Sequence, residues 1–424
     1  MKRAFLVLFL ALPLFAQTAP QTTVVRAARM FAGNTDSVVS PGVVVISGNR
    51  ITGVGSGVAI PAGATTIDLG DATLLPGFID SHTHLSFEMG SSYIADFFTG
   101  SFRHATEQSH YAAMYAKRTL DAGFTTVRDL SSFEYMDVGL RNAINSGIVP
   151  GPRMYVAVNP IGATGGHGDS DPMPPHRITH KTVREGTCNG AAQCLEAVRW
   201  QTKYGADVIK IMPSGGVLSL SDAVDAPTMT VEEIGTVVEE AHQLGRKVAA
   251  HCHGDAAAKL AVNAGVDSIE HGSFLTAETL LLMKERGTRL VATLSAGESI
   301  KHTQFPPAIR AKADAASAAM TQMFRNAVRI GVKIAFGTDS AVYRHGRNAG
   351  EFALMTANGM APAAALRSAT TVAADLVGVD AGILAAGKLA DIIAVPGNPL
   401  QDIRMTEQVS FVMKDGVVVK NVRK

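Results

Sequence analysis

Eight short runs rich in apolar and β-branched residues recur along the middle of the chain, and helical patterns separate most of them. The runs cover residues 73–82, 124–130, 152–158, 207–212, 247–253, 267–272, 289–295 and 333–340. Several intervening stretches carry apolar residues at three- and four-residue spacing and end in glycine, as amphipathic helices do. Strand–helix units in this order predict an α/β fold, and eight of them indicate a closed (β/α)8 TIM barrel.

The segments before and after the barrel region differ from it in composition and pattern. Residues 22–72 and 386–424 are rich in Val, Ile and Gly, with short alternating strands and turns. We expect these separated segments to pair into one small β-sandwich domain. The predicted boundaries are 22–72 and 381–424 for the sandwich and 73–380 for the barrel.

The first residues are typical of a signal peptide. Lys2 and Arg3 precede an apolar run over residues 4–14, and the small residue Ala16 offers a cleavage point. The run is too short to span a bilayer. We therefore expect residues 1–16 to be removed from a periplasmic or secreted protein without a stable membrane span; a short membrane anchor is the alternative.

Composition limits the function classes. The 424 residues are 46% hydrophobic and 18% charged, which allows a large buried interior. The chain holds 38 basic and 37 acidic residues without a basic stripe, so nucleic acid is a poor candidate partner. Cys188 and Cys194 flank a Gly/Asn-rich stretch and could form a disulfide or remain free thiols, while Cys252 is expected to be a buried filler.

Polar residues cluster at the carboxyl ends of the predicted strands, which is the catalytic face of a barrel. They are His82, His84, Lys210, His251, His253, His271 and Asp339. Residues two apart in a strand point to the same face, so His82 and His84 can converge on one point. Imidazole nitrogen and carboxylate oxygen both suit zinc, and the sequence therefore predicts a metal site at this rim.

Lys210 lies within the apolar run DVIKIM. Burying an unpaired ammonium is unfavourable, and the usual escape is loss of the charge. A neutral amine can take up CO2 to form a carbamate, an anionic two-oxygen ligand able to bridge two metals. The alternative is a structural ion pair with Asp207 or Asp339.

The predicted centre holds two divalent metal ions, most simply Zn2+, although manganese, cobalt or iron would suit the same ligands. Such ions stand about 3.5–4 Å apart and share a hydroxide at neutral pH. Asp339 is the candidate for accepting a proton from the attacking hydroxide and delivering it to the leaving amine.

These motifs resemble the amidohydrolase superfamily. The resemblance rests on LLPGFIDSHTHL (74–85), GADVIKIMPSGGV (205–217), VAAHCHG (248–254), SIEHG (268–272), FGTDS (336–340) and the stretch 370–400. It covers nearly the whole chain after the signal peptide. It implies the binuclear subtype with a carbamylated lysine, whose metal positions are His82, His84, Lys210, His251, His271 and Asp339.

Within the superfamily, the chain resembles metal-dependent Xaa-Pro-type carboxypeptidases and dipeptidases and the bacterial ochratoxin A amidohydrolases. This implies cleavage of an amide bond that releases a C-terminal amino acid from dipeptides, N-acyl amino acids or ochratoxin A. It also implies a homo-oligomer, such as an octamer. The family places a carbonyl-polarising side chain after the strand-five ligand, where this chain has His253.

Further substrate contacts are predicted outside the metal positions. The resemblance gives His167, within GGHG (165–168), a contact to the substrate carbonyl or carboxylate; the alternative is a glycine-rich surface turn. Arg128 and Arg344 are candidate carboxylate clamps, because guanidinium binds carboxylate in a fork; the alternative for each is a structural or surface ion pair. Loops 162–187 and 296–306 are expected to set the substrate, and the second is a candidate lid. The remaining candidates for surface histidines are His176, His180, His242, His302 and His345.

Three other functions are compatible with parts of the pattern. A lactonase or phosphotriesterase would use the same ligands on a different bond. An imidazolonepropionase-like ring opening is disfavoured because it needs no bridging Lys210. A non-catalytic periplasmic binding protein is disfavoured because suitable residues occupy all six metal positions.

Overall fold

A computed structural model describes residues 22–169, 176, 180–220, 222–301 and 303–422. The predicted signal peptide, residues 1–16, and His302 lie outside this part of the chain. The described strands are β1 (Thr22–Ala27), β2 (Arg29–Met30), β3 (Gly42–Ser47), β4 (Arg50–Val54), β5 (Thr65–Asp68), β6 (Ala72–Pro76), β7 (Phe78–Thr83), β8 (Phe124–Asp129), β9 (Arg153–Val156), β10 (Val208–Ile211), β11 (Lys247–Cys252), β12 (Ser268–His271), β13 (Arg289–Val291), β14 (Ile392–Pro396), β15 (Phe411–Lys414) and β16 (Val417–Asn421).

Helices alternate with the central strands. The described α-helices are α1 (Tyr93–Phe102), α2 (Ala105–Asp121), α3 (Met136–Asn145), α4 (Ala191–Lys203), α5 (Val231–Gln243), α6 (Asp255–Ala264), α7 (Ala277–Arg286), α8 (Leu294–Ile300), α9 (Pro307–Ile330), α10 (Gly350–Ala357), α11 (Pro362–Arg367) and α12 (Ala373–Val377). Among the described helices, none combines the length and the apolar character needed to cross a membrane.

Two parallel sheets form the centre of the α/β fold. Strands β7, β8 and β9 pair in that order, and β10, β11, β12 and β13 form the second sheet. A parallel bridge joins Ile161, after β9, to Ile211 of β10. Parallel bridges also join Leu290 to Ile334 and Thr83 to Ser340, so extended chain connects β13 with β7. The closed eight-stranded barrel stays a prediction.

The eighth predicted strand, residues 333–340, is extended chain with isolated bridges and forms no regular strand among the described residues. Its backbone is held in part by a side chain, since the amide of Thr338 donates to Oδ1 of Asp80 at 3.1 Å. The amide of Asp339 still donates to the carbonyl of His82 at 2.8 Å. The segment therefore lies beside β7 without a continuous ladder.

The first predicted run, 73–82, is divided into β6 and β7 at Gly77. A Cβ at Gly77 would overlap the side chain of Thr125, so this close approach requires glycine. β6 does not join the central sheets; it pairs antiparallel with β14, with Ile392 opposite Pro76. The boundary between terminal and central strands thus lies near residue 77, whereas the sequence predicted residue 72.

The terminal segments form two further sheets among the described residues, in the orders β4-β3-β1-β5 and β16-β15-β14-β6-β2. The second sheet joins strands from both ends of the chain, as the shared texture of these segments predicted. Buried side chains of both sheets belong to one apolar cluster that includes Val44, Ile46, Leu74, Ile392 and Phe411. The ends of the chain are therefore held together by apolar burial and by backbone pairing.

Residues 289–300 differ from their prediction. The run 289–295 was expected to be a strand followed by a loop, but β13 ends at Val291 and α8 begins at Leu294. Glu351 explains the helix start, because its carboxylate accepts from the amides of Leu294 and Ser295 at 2.9 and 2.7 Å. This capping group lies far along the chain, so no local pattern signals it.

Cys188 and Cys194 form a buried disulfide before and within α4, and Cys252 is a buried free thiol. The amide of Cys188 donates to the carbonyl of Gly162 at 2.9 Å. The disulfide therefore lies against the start of the segment that carries His167.

Candidate active site

The predicted metal positions meet at the carboxyl ends of the central strands. His82 lies in β7, Lys210 in β10 and His251 in β11, while His271 is the last residue of β12. All six side chains line one cavity of about 320 Å3. They are His82, His84, Lys210, His251, His271 and Asp339.

Two adjoining groups of three side chains have atoms close enough to bind a metal ion. One group comprises His82, His84 and Asp339; the other comprises His251, His253 and His271. Within each group the ligand atoms lie within 4.8 Å of one another. The second group includes His253, for which the sequence predicted a substrate contact rather than a position among ligands.

Side-chain hydroxyls or carboxylates hold the Nδ1 atom of several of these rings. Nδ1 of His82 lies 2.8 Å from Oε2 of Glu270. The corresponding partners are Ser131 Oγ for His84 at 2.9 Å, Ser273 Oγ for His253 at 2.9 Å and Thr293 Oγ1 for His271 at 2.8 Å. Because Nδ1 is held, Nε2 of each of these rings faces the cavity. Metal-binding histidines are commonly oriented by partners of this kind. His251 differs, since its Nε2 lies 3.3 Å from the carbonyl of Gly215.

Asp339 completes the first group. Its Oδ1 lies 3.1 Å from Nε2 of His84 and 3.6 Å from Nε2 of His82. Burial opposes a low pKa for Asp339, but the hydrogen bond from His84 and the nearby His82 outweigh it and lower that pKa. The carboxylate is therefore ionised at neutral pH, as a metal ligand must be.

Burial keeps the histidines neutral. It lowers the pKa of His82 to about 4 and that of His253 to about 3, and the nearby Lys210 contributes to both shifts. The pKa values of His251 and His271 are lowered well below the ordinary histidine value for the same leading reason. Neutral imidazole is the ligand form, so this donor set fits divalent cations.

Lys210 is buried and lines the same cavity as both groups. Among the described carboxylates, none forms an ion pair with it; Asp207 pairs with Arg141 at 2.5 Å, and Asp339 contacts the histidines. The structural ion pair considered above is therefore absent from the described residues. Burial lowers the pKa of Lys210 to about 8, which makes the neutral amine more accessible at neutral pH.

Backbone strain is concentrated at this rim. His271 and Asp339 adopt the left-handed region at φ 68° and 58°. Thr293, which contacts Nδ1 of His271, does so at φ 53°. Non-glycine residues held there cost on the order of 1–3 kcal/mol each and are typical of functional sites.

Arg128 does not contact the cavity, and its predicted role as a carboxylate clamp is corrected. Its guanidinium is buried, with Nη2 2.8 Å from Oε1 of Glu270 and Nε 2.6 Å from the carbonyl of Ser81. Glu270 in turn contacts His82, so Arg128 acts on the site only through Glu270. Burial raises the pKa of Glu270, but Arg128 and His82, which contact different oxygens of its carboxylate, together lower that pKa to about 2.

Arg344 is also placed outside the cavity lining formed by the described residues. Its side chain is 68% exposed and its Nε lies 4.0 Å from Oε1 of Glu88. His345, predicted to be a surface residue, is buried; its Nε2 lies 2.8 Å from the carbonyl of Phe87 and its ring stacks on Tyr115. Local sequence could not reveal either neighbourhood. The exposed histidines His176, His180 and His242 agree with their surface prediction.

His167 does reach the cavity. Its ring lies 4.4 Å from that of His251 between centroids, and its Nδ1 is 3.1 Å from Oγ of Ser219. Burial lowers its pKa to about 4. It is thus part of the site and not the surface turn considered as an alternative. The predicted loop around it is described only to residue 169 and again at 176 and from 180.

One wall of the cavity is apolar. It is built by side chains of α8, α9 and the segments that follow β10 and residue 340, namely Met212, Val217, Leu218, Ala296, Ile300, Ala313, Ala316, Met320 and Val342. Gly297 of α8 also lines this wall. A cavity with a polar floor and an apolar wall is suited to a small molecule whose polar centre sits beside an apolar group.

Glu270 and the hydroxyl partners of the rings were missed from the sequence. An acidic residue next to His271 in the apolar run SIEHG was a usable signal, since a buried carboxylate requires a partner. Ser131, Ser273 and Thr293 carried no such signal, because isolated hydroxyl residues are common at strand ends.

Residues 73–421 match the amidohydrolase family. The chain belongs to the amidohydrolase family. The resemblance predicted from the sequence is confirmed, and this amidohydrolase is an amide-hydrolysing enzyme. The finding disfavours the non-catalytic binding protein considered above.

Several relatives of this amidohydrolase are known. Ochratoxinase from Aspergillus niger is 33% identical over 368 residues, which is 82% of this chain and 75% of the relative. The crystal structure of a Xaa-Pro dipeptidase with bound methionine in the active site has a TM-score of 0.91 and 39% identity, covering 95% of this chain and all 100% of that one. A prolidase complexed with N-methylphosphonate-L-proline has a TM-score of 0.86 and 30% identity, with 95% and 100% coverage.

Proposed function

We propose that this amidohydrolase releases a C-terminal amino acid from a small acyl–amino acid, such as a dipeptide, an N-acyl amino acid or ochratoxin A. The observation that carries the proposal is that two three-residue groups able to bind metal ions line one cavity together with the buried Lys210. The ochratoxinase and Xaa-Pro dipeptidase relatives support this substrate class. The proposed architecture is a (β/α)8 barrel with a β-sandwich.

The proposed metal ligands are those predicted from the sequence. His82, His84 and Asp339 would hold one divalent cation, His251 and His271 a second, and carbamylated Lys210 would lie between them. Zn2+ is the expected ion because the ligands are imidazole and carboxylate. When bound, two such cations polarise a carbonyl oxygen and lower the pKa of a water to near neutrality.

The side chains around this centre have separate proposed tasks. Asp339 accepts the proton of the attacking water and passes it to the nitrogen of the leaving amino acid. His253 donates from Nε2 to the substrate carbonyl; its Nδ1 contact with Ser273 at 2.9 Å supports that orientation. The apolar wall around Gly297 and Ile300 excludes water from one substrate side chain.

Two further expectations remain proposals. Export of the mature chain to the periplasm or outside the cell would follow removal of residues 1–16. A homo-oligomer, such as an octamer, is implied by the family resemblance. Light scattering of the purified protein tests the second, and the mass of the mature chain tests the first.

Release of free amino acids from a panel of dipeptides, N-acyl amino acids and ochratoxin A tests the function. Zinc-loaded wild type is compared with chelated protein and with Asp339→Asn. Release that disappears on chelation and falls at least about a hundredfold in Asp339→Asn supports the proposal. If every amide is left intact while a lactone or phosphotriester is hydrolysed, the alternative function replaces it.

A further inference from the structure

The ring of His167 is fixed by a segment that supplies none of the proposed metal ligands. One side of the ring lies against His251, with ring centroids 4.4 Å apart and the ring planes tilted by 30°. Gly216 also lies against the imidazole of His167, since a Cβ at this position would overlap its atoms Nδ1, Cε1 and Cγ. Glycine at 216 therefore lets the backbone approach the imidazole closely, and the ring has little freedom to turn.

A serine and an aspartate determine which ring nitrogen carries the proton. Oγ of Ser219 lies 2.6 Å from Oδ1 of Asp222 and 3.1 Å from Nδ1 of His167. A carboxylate only accepts, so the single hydroxyl proton of Ser219 is donated to Asp222. The carbonyl of Gly216, at 3.1 Å from Oγ, is the weaker competitor for that proton. Oγ consequently accepts from His167, whose Nδ1 carries the hydrogen.

Asp222 is itself held in place. Its side chain is 4% exposed, and Nζ of Lys312 lies 3.1 Å from its Oδ1. The same ammonium donates to the carbonyls of Gly216 and Ser219 at 3.1 and 2.9 Å. Lys312 belongs to α9, which also forms part of the apolar wall. The aspartate, the serine and the wall of the cavity thus form one connected unit.

We propose that Ser219 and Asp222 are positioning residues that hold His167 with the lone pair of Nε2 toward the cavity, where it accepts a hydrogen bond from the N–H of the scissile amide. In a neutral imidazole with a hydrogen on Nδ1, Nε2 can only accept. This differs from the contact to a carbonyl or carboxylate that the family resemblance implied. The proposal rests on the proposed function.

A substrate consequence follows. A secondary amide, in which the leaving amino acid keeps its N–H, gains this hydrogen bond. A tertiary amide, such as an Xaa-Pro or N-methylated bond, has no N–H and cannot. We therefore expect this enzyme to favour secondary amides whose leaving amino acid is not proline.

Paired substrates test the inference. Met-Leu and Met-(N-methyl)Leu are compared, with Met-Pro as a second tertiary amide, for wild type, Ser219→Ala and Ser219→Thr; Ser109→Ala on the exposed face of α2 is the control. Ser219→Ala should lower kcat/KM for Met-Leu about tenfold, while kcat/KM for the two tertiary amides should change less than about twofold. Ser219→Thr keeps the hydroxyl and should restore the preference. Equal losses on secondary and tertiary amides, or no loss, would overturn the proposal.

The protonated nitrogen can be observed without turnover. In the zinc-loaded protein labelled with 15N-histidine, the His167 signals, identified by their loss in His167→Asn, should show a hydrogen on Nδ1. Ser219→Ala removes the acceptor of the Nδ1 hydrogen and should raise the fraction of His167 that carries its hydrogen on Nε2. A hydrogen on Nε2 in the wild type contradicts the inference even if no amide is hydrolysed, so this result is separate from the proposed function.

Discussion

Oε2 of Glu270 lies 2.8 Å from Nδ1 of His82, while its Oε1 lies 2.8 Å from Nη2 of Arg128. All three side chains are buried. A carboxylate that accepts from Nδ1 fixes the ring so that Nε2 points to the opposite side, toward Asp339. The orientation of His82 therefore depends on the salt bridge between Glu270 and Arg128.

Glu270→Gln should weaken metal binding without removing a ligand. The variant keeps the shape of the side chain but loses the charge that orients His82 and neutralises Arg128, so metal affinity and activity should fall about 10- to 100-fold. Elemental analysis after dialysis and amino acid release measure the two effects. Glu285→Gln, on the exposed side of α7, is the matched control and should match wild type. Unchanged metal content in Glu270→Gln would refute the orienting role.

Lys210→Ala should lose metal and most activity, because the variant has no amine that could form the proposed bridging carbamate. Millimolar acetate or propionate should restore part of both, since a small carboxylate can occupy the space left by the lysine and offer two oxygens. Metal content and turnover are measured with and without the added acid. Full metal and turnover in Lys210→Ala alone would end the carbamate proposal.

The sequence predicted the side chains that meet at this rim because each lies within or at the end of an apolar run, and burial of His82, Lys210 and His271 follows from that pattern. It did not predict the placement of Arg128 or the start of α8. Arg128 is set by Glu270, 142 residues away, and α8 by Glu351, 57 residues from Leu294. Contacts of this range leave no periodic signal in a single sequence.

The apolar wall should determine which substrates are accepted. A Cβ at Gly297 would lie 3.5 Å from Oγ of Ser317 and 3.6 Å from Sδ of Met320, which are ordinary contact distances. The backbone therefore accommodates Gly297→Leu, and the leucine side chain should occupy part of the cavity. We expect kcat/KM to fall about tenfold or more for substrates with a bulky apolar side chain, and less for alanine analogues. Gly235→Leu on α5, where an added Cβ meets nothing within 4 Å, is the control. Equal effects on large and small substrates would contradict this assignment of the wall.

Buried histidines should make the metal-free protein sensitive to acid. Folding lowers the pKa of His253 to about 3, whereas the unfolded chain binds a proton there below about pH 6.5. The unfolded state therefore gains protons as pH falls, and each such histidine removes about 2 kcal/mol of stability between pH 6.5 and 5. Burial raises the pKa of Asp129 to about 7, so protonation of Asp129 stabilises the folded state as pH falls. The contribution of His253 must therefore be measured as the difference in stability between wild type and a variant at position 253.

The free energy of unfolding is compared between chelator-treated wild type and chelator-treated His253→Asn. Unfolding is followed by denaturant titration at pH 6.5 and 5, and the wild type should lose about 2 kcal/mol more than the variant. Identical losses in both proteins would show that His253 is not held neutral by burial.

We propose that two cations held by these side chains drive amide hydrolysis. The most direct measurement is amino acid release from one substrate as zinc is added stepwise to metal-free enzyme, with bound zinc determined at each step. Release should be negligible without metal and should rise until two zinc ions are bound per chain. Full release by the metal-free enzyme, or a plateau at one ion per chain, would contradict it.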